Sequence, residues 1–121
     1  MEAKELMIGD WVRLKLSQHD TKVTNIGGSY VFTKAVRPIR YDEIEPVPLT
    51  PEILEKNWFK KYDELYRLDI TEGTFVNVDF KSKEPFVSVH NTCYRATPIC
   101  RYLHQLQHAL RLCGIEKEIT L

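Results

Sequence analysis

With 121 residues, 43% apolar and 28% charged, the chain suffices for one domain or two very small ones sharing a core, and its composition is that of a soluble globular protein. No apolar run approaches the roughly 20 residues that cross a bilayer, and Met1-Glu2-Ala3-Lys4-Glu5 does not open a secretory leader, so no membrane partner and a cytoplasmic location are expected. Seventeen Lys/Arg balance seventeen Asp/Glu, which argues against a dedicated nucleic-acid binder, and the odd set Cys93, Cys100 and Cys113 argues for reduced thiols over a disulfide framework.

In chain order, Leu6-Met7-Ile8 is a short lead-in and Gly9-Asp10 a turn. Residues 11–16 alternate, with Val12, Leu14 and Leu16 on one face and Trp11, Arg13 and Lys15 on the other, as in a half-buried strand. A polar turn over 17–20 leads to a second strand over 22–26, which carries Val23 and Ile26. Gly27-Gly28 reads as a hairpin turn, because glycine reaches positive φ without steric cost. Residues 29–36, rich in β-branched and aromatic side chains, form a third strand. Arg37-Pro38 breaks it, and 39–44 form a fourth. Short strands joined by tight turns predict a small, strongly bent antiparallel sheet or barrel.

Pro46-Val47-Pro48-Leu49-Thr50-Pro51 divides the chain into two differently built parts, 1–48 and 49–121. Proline lacks an N–H and has a fixed φ, so three in six residues suit neither a central strand nor a helix interior. Thr50 is placed to cap a helix that Pro51 opens, with Glu52 at the positive end of its dipole and Asn57 as a left-handed terminator. Trp58 and Phe59 then anchor this helix. A meander of strands over 62–70, 74–81 and 85–90 follows, with Val76, Val78 and Phe80 sharing a face. Residues 91–98 read as neither helix nor strand. Ile99, Leu103, Leu106, Leu110 and Cys113 recur at helical spacing and predict a helix over 99–113, opened by Thr97-Pro98 and closed by Gly114. Residues 115–121 alternate again and read as a final strand.

Three segments together resemble a family of small uncharacterised proteins found in gut-bacterial genomes and their phages and mobile elements. They are Met7-Ile8-Gly9-Asp10-Trp11-Val12, Ile44-Glu45-Pro46-Val47-Pro48-Leu49-Thr50-Pro51-Glu52-Ile53-Leu54 and Leu103-His104-Gln105-Leu106-Gln107. The resemblance implies a shared fold and carries no catalytic or binding residues. The opening Gly9-Asp10-Trp11-Val12 is also similar to the first strand of SH3-like and KOW-type barrels.

Candidate chemistry is sparse. His90, Cys93, Cys100 and His104 give H-x2-C-x6-C-x3-H, with His108 a turn beyond, and thiolates and imidazoles are the usual zinc ligands. The spacing lacks the C-x2-C pairs of common zinc sites. On an ideal helix His104 and His108 fall roughly 140° from the leucine stripe and face solvent. The plainer reading, exposed histidines and reduced cysteines without metal or other cofactor, is adopted. Cys93 after His90, with Asp79 on the preceding strand, lacks any nucleophile signature, and no phosphate loop is present. Asp42, Glu43 and Glu45 read as a solvated acidic face.

Residues 1–40 hold seven Lys/Arg against four Asp/Glu, and Trp11, Arg13, Lys15, Lys22, Tyr30 and Lys34, with Phe32, Arg37 and Arg40 nearby, mix cations with aromatic rings as small nucleic-acid-binding barrels do. The same rings also suit the packing of a small sheet. The reading is therefore an α+β protein. An SH3-like β module precedes an antiparallel sheet with one packed C-terminal helix. It has no enzymatic activity and binds another macromolecule, a protein before a nucleic acid. An exposed aromatic patch at Trp58 or Phe59 supports that reading, and burial of both counts against it.

Overall fold

A computed structural model describes residues 5–34, 37–81, 84–90 and 95–121, of which 95–99 as backbone alone. The protein is an α+β fold made of two compact units, Met1–Val47 and Pro48–Leu121.

The first unit is built from six short strands, β1 (Trp11–Leu14), β2 (Asp20–Lys22), β3 (Asn25–Gly27), β4 (Tyr30–Phe32), β5 (Ile39–Arg40) and β6 (Ile44–Pro46). They form two antiparallel sheets, ordered β2-β1-β6 and β3-β4-β5. One cluster of buried side chains, Leu6, Val12, Val23, Val31, Ile39 and Ile44, is shared by both. Two of the strands expected from sequence are each broken so that the chain can pass from one sheet to the other. The run 22–26 splits at Val23-Thr24, where the Val23 amide donates to Asp10 O (2.9 Å) and the Thr24 amide to Phe32 O (2.7 Å). The run 39–44 splits at a 3-10 turn, Tyr41–Glu43. Longer strands would overrun so small a core. The third strand is likewise shorter than expected among the described residues, and Ala35 and Val36 lie outside them.

The start of the unit is held by a local device. Gly9 sits at φ 94°, and the buried Asp10 carboxylate accepts from the Met7 amide (2.8 Å). Leu16 was expected on the buried face of the first strand, yet it is 93% exposed. Strand β1 ends at Leu14, and Leu16 lies beyond it in the turn closed by the Gln18 amide on Leu14 O. Pro46 belongs to strand β6, opposite Val12, and not to a free connector. It is tolerated because β6 is an edge strand, so the missing N–H leaves no ladder bond unmade on the far side.

The second unit holds helix α1 (Pro51–Lys56), strands β7 (Lys60–Tyr62), β8 (Leu65–Thr71), β9 (Thr74–Asp79), β10 (Phe86–His90) and β11 (Arg95–Ile99), and helix α2 (Leu103–Leu112). The strands form one antiparallel meander, ordered β11-β10-β9-β8-β7. One face is buried through Tyr66, Leu68, Val76, Val78, Val87 and Val89, and the α2 side chains Leu103, Leu106, Ala109 and Leu110 are buried as well. A sheet with one apolar face and a helix with one apolar stripe make a two-layer core. Thr50 caps α1 as expected, its hydroxyl accepting from the Ile53 amide (3.4 Å).

Three expectations fail in this unit. The run 62–70 is not one strand, because a two-residue turn at Asp63-Glu64 folds β7 back on β8, with Tyr62 opposite Leu65. Asp63 takes φ 60° there, which aspartate tolerates better than most residues. Helix α2 starts at Leu103, not Ile99. Thr97-Pro98 continues strand β11, an edge position where proline is allowed, and the Gln105 side chain caps the helix by accepting from the Arg101 (2.8 Å) and Tyr102 (3.1 Å) amides. Residues 115–121 form no strand. Ile115 and Ile119 are buried as the alternation suggests, but the tail is held by a side chain, Asn57.

Candidate functional site

The six residues proposed for nucleic-acid contact divide between the two sheets of the first unit. On the outward face of β1, Trp11 lies opposite Lys22, whose ammonium is 5.4 Å from the ring centre. Arg13 is engaged from both sides, opposite Asp20 on β2 and Glu45 on β6. Its guanidinium donates to Asp20 (2.8 Å), and that hydrogen bond holds the Arg13 proton more tightly than usual. Lys15 is exposed just past the end of β1. Tyr30 is exposed on β4 with Phe32 and pairs with Arg40, and Lys34 follows that strand. The cluster Asp42, Glu43 and Glu45 is tied into the surface rather than simply solvated. Arg37 donates to Glu43 (2.7 Å), Arg40 pairs with Asp42 (3.3 Å), and Gln18 donates to Glu45 (2.9 Å).

The Arg37 hydrogen bond is the largest cause that pulls the Glu43 carboxyl below its ordinary range, helped by the Arg40 amide. A carboxylate whose pKa is lowered on folding stabilises above its unfolded-state pKa, and that contribution is lost as pH falls through the lowered folded value. Arg37→Ala should therefore move the Glu43 titration midpoint upward, toward the unfolded value. A carboxyl-carbon NMR titration reads this directly, and an unchanged midpoint would show that Arg37 does not set it.

The metal candidates scatter. Among the described residues no group of three or more His, Cys, Asp or Glu converges on a point that could hold a metal ion. Cys93 lies outside the described residues. His90 is on β10, Cys100 is buried after β11, and His104 is in α2. His104 does not face solvent as the helical wheel suggested, for it is 4% exposed. The buried positions of α2 include His104 and Gln107 besides the leucines, so the helix is covered over well more than the leucine stripe. The Tyr102 ring stacks over the His104 imidazole (5.9 Å, 11°), and His108 meets it edge-on (5.6 Å).

On the face of the sheet opposite Val76 and Val78, register brings together three side chains that spacing alone did not connect. Phe75 stands between its neighbours: the Arg67 guanidinium lies 3.7 Å from its ring centre on the β8 side, and His90 stacks at 4.5 Å and 14° on the β10 side. Asp69 accepts from Arg67 (3.0 Å). Beside them is a depression of about 420 Å³ lined by Arg67, Asp69, Thr71, Gly73 and Phe75. Both faces of Phe75 are thus occupied within the sheet.

The junction between α1 and β7 is the most unusual part of the second unit. Helix α1 ends with the Phe59 amide bonded to Leu54 O (3.0 Å) and the Trp58 amide to Glu55 O (3.3 Å). Helix α2 ends the same way, with the Ile115 amide on Leu110 O (2.9 Å) and the Gly114 amide on Arg111 O (3.0 Å). This paired closure needs a left-handed residue just past the cap, and Gly114 supplies it at φ 72°. In α1 the same position is Trp58, at φ 74°. Asn57, expected to be the left-handed residue, has φ −102° and is the cap itself. Its amide is committed elsewhere, donating to Ile53 O and Thr120 O (both 2.8 Å) and accepting from the Thr120 amide (2.7 Å).

The aromatic pair therefore splits. Phe59 is buried with Leu54 across the closure, while Trp58 is 77% exposed. Lys56, Lys60 and Lys61 are exposed on either side of it, and Tyr62 is exposed at the end of β7. No family model, curated protein or solved structure matches the chain.

Proposed function

We propose that the chain is a small, non-enzymatic accessory module that binds another protein, with Trp58 as the anchor. The observation that carries this reading is an indole held outward on a left-handed backbone. Single exposed apolar residues need no explanation. A bulky residue at positive φ is different, because the conformation costs about 1–2 kcal/mol and glycine does the same job in the same chain at Gly114. Backbone strain of this kind gathers where a side chain has a task, and tryptophan is prominent among residues that dominate protein interfaces. On this reading the protein is cytoplasmic, is kin to the small uncharacterised proteins of gut-bacterial and phage genomes, and carries an SH3-like barrel as its first unit.

Trp58→Gly separates stability from binding. Relief of the strain, less the extra backbone entropy of glycine, should raise unfolding free energy by about 0.5–1 kcal/mol in urea titrations. The same variant should lose a protein that the wild-type chain retains from a lysate of cells that naturally express it. Equal retention by both chains would overturn the reading.

A further inference from the structure

We infer that residues 115–121 act as a strap. Docked, they hold Trp58 on the left-handed backbone that turns its indole outward. Released, they let the left-handed position move back one residue, to Asn57, and Trp58 relaxes. Tail and indole are thus coupled within one unit of the fold, whatever the indole binds.

The closure of α1 has two registers open to it. In the observed one Trp58 is left-handed (φ 74°), its amide donates to Glu55 O (3.3 Å) and the Phe59 amide donates to Leu54 O (3.0 Å). One residue earlier, the same closure makes Asn57 left-handed, with its amide on Leu54 O and the Trp58 amide on Ile53 O. Asparagine tolerates this conformation far better than tryptophan does, so the backbone preference of α1 favours the earlier register. Half of that register is already in place, because the Asn57 amide lies 3.1 Å from Leu54 O.

The tail reverses the preference. The Asn57 side chain accepts from the Thr120 amide (2.7 Å) and hydroxyl (3.4 Å) and donates to Thr120 O (2.8 Å). Its other N–H fills Ile53 O (2.8 Å) beside the Asn57 backbone amide (3.2 Å). That oxygen is the acceptor the Trp58 amide needs in the earlier register, and two donors already occupy it. A left-handed Asn57 would also swing its side chain away from Thr120, so docked tail and earlier register exclude each other. Release is open to the tail, which carries no helix or strand and is tied down at Ile115, Ile119 and Thr120. Phe59, buried and bonded to Leu54 O in the observed register alone, keeps the strap closed in the resting chain. By linkage, a partner that grips the left-handed Trp58 tightens the tail by the factor with which the tail tightens the partner. That consequence rests on the protein-binding reading, whereas the strap does not.

The test is NMR on the whole chain without a partner. A positive φ brings the amide and α protons of one residue close together and gives a strong intraresidue NOE. Wild type should show it at Trp58 and not at Asn57. Ile119→Asp, which frees the tail and leaves Asn57 intact, should move the strong NOE to Asn57. Asn57→Gly, which cuts the clasp and leaves Ile119 intact, should remove it from Trp58. Trp58→Gly, which raises the urea midpoint of wild type, should lower that of the Asn57→Gly chain, where the second glycine meets no left-handed position. If neither variant folds, amide exchange of the wild-type chain decides. One opening frees the Thr120 and Phe59 amides, so their protection factors should agree within about tenfold. A strong NOE that stays at Trp58 in a folded variant, a midpoint still raised in the Asn57→Gly chain, or protection factors farther apart would overturn the inference. Because no partner is present, its failure leaves the lysate test of the protein-binding reading untouched.

Discussion

Asn57→Ala should lower the unfolding free energy by about 3 kcal/mol, read from urea titrations. Asn57 is 1% exposed, and its amide joins two places far apart in sequence. One N–H bond goes to Ile53 O in α1, a carbonyl that also accepts from the Asn57 backbone amide (3.2 Å). The other N–H and the carbonyl oxygen meet Thr120 O and the Thr120 amide, so the side chain imitates the exchange of a β-bridge. Alanine removes all four side-chain bonds, the 3.4 Å contact from the Thr120 hydroxyl included, takes the Thr120 amide and carbonyl from their partners and leaves a void at a buried position, and these losses together set the cost. Asn57→Asp keeps an acceptor for the Thr120 amide but turns a charge toward two carbonyls, so it should not rescue. A loss below about 1 kcal/mol for alanine would mean that the tail is held by Ile115 and Ile119 alone.

Ile44→Ala should cost the first unit about 3 kcal/mol. Ile44 is fully buried, pairs with Leu14 in the β1–β6 ladder, and belongs to a cluster of six buried side chains among the described residues. Cores of this size leave little reserve, so removing one of the largest members should open the unit rather than merely loosen it. Amide exchange along β1 and β4 should speed up about 100-fold, since each 1.4 kcal/mol is a factor of ten. Exchange within threefold of wild type would show that the cavity collapses without cost. Ile44→Val, which keeps most of the volume, should cost no more than about 1 kcal/mol.

Much of the second unit was legible because its signals are local. Thr50-Pro51 starts α1 through one hydroxyl and a pre-set φ, and Gly114 ends α2 where it was expected. The alternation around Val76 and Val78 identifies both the strand and its buried face. At the candidate surface, an exposed aromatic at Trp58 or Phe59 was anticipated as an alternative, but which of them would be displayed was not. That depended on Asn57, whose amide is drawn into a bond with Thr120, 63 residues away, so the left-handed position falls one residue later.

What the amino-acid sequence determined by itself, then, is the α+β class, the capping of the first helix, the Gly73 turn, the Gly114 helix end and the buried face around Val76 and Val78, because each is settled by neighbours within a turn or by a repeating period; the Gly27-Gly28 turn falls one residue later, at Gly28-Ser29, with Gly27 in β3 opposite Tyr30. The tertiary structure alone decided where the chain breaks at Val23-Thr24, Tyr41–Glu43 and Asp63-Glu64, why Pro98 sits in a strand, why His104 is buried and why Trp58 is not. Each of these turns on which distant backbone group accepts a hydrogen bond or which surface covers a side chain, and no periodicity encodes a partner that lies across the fold.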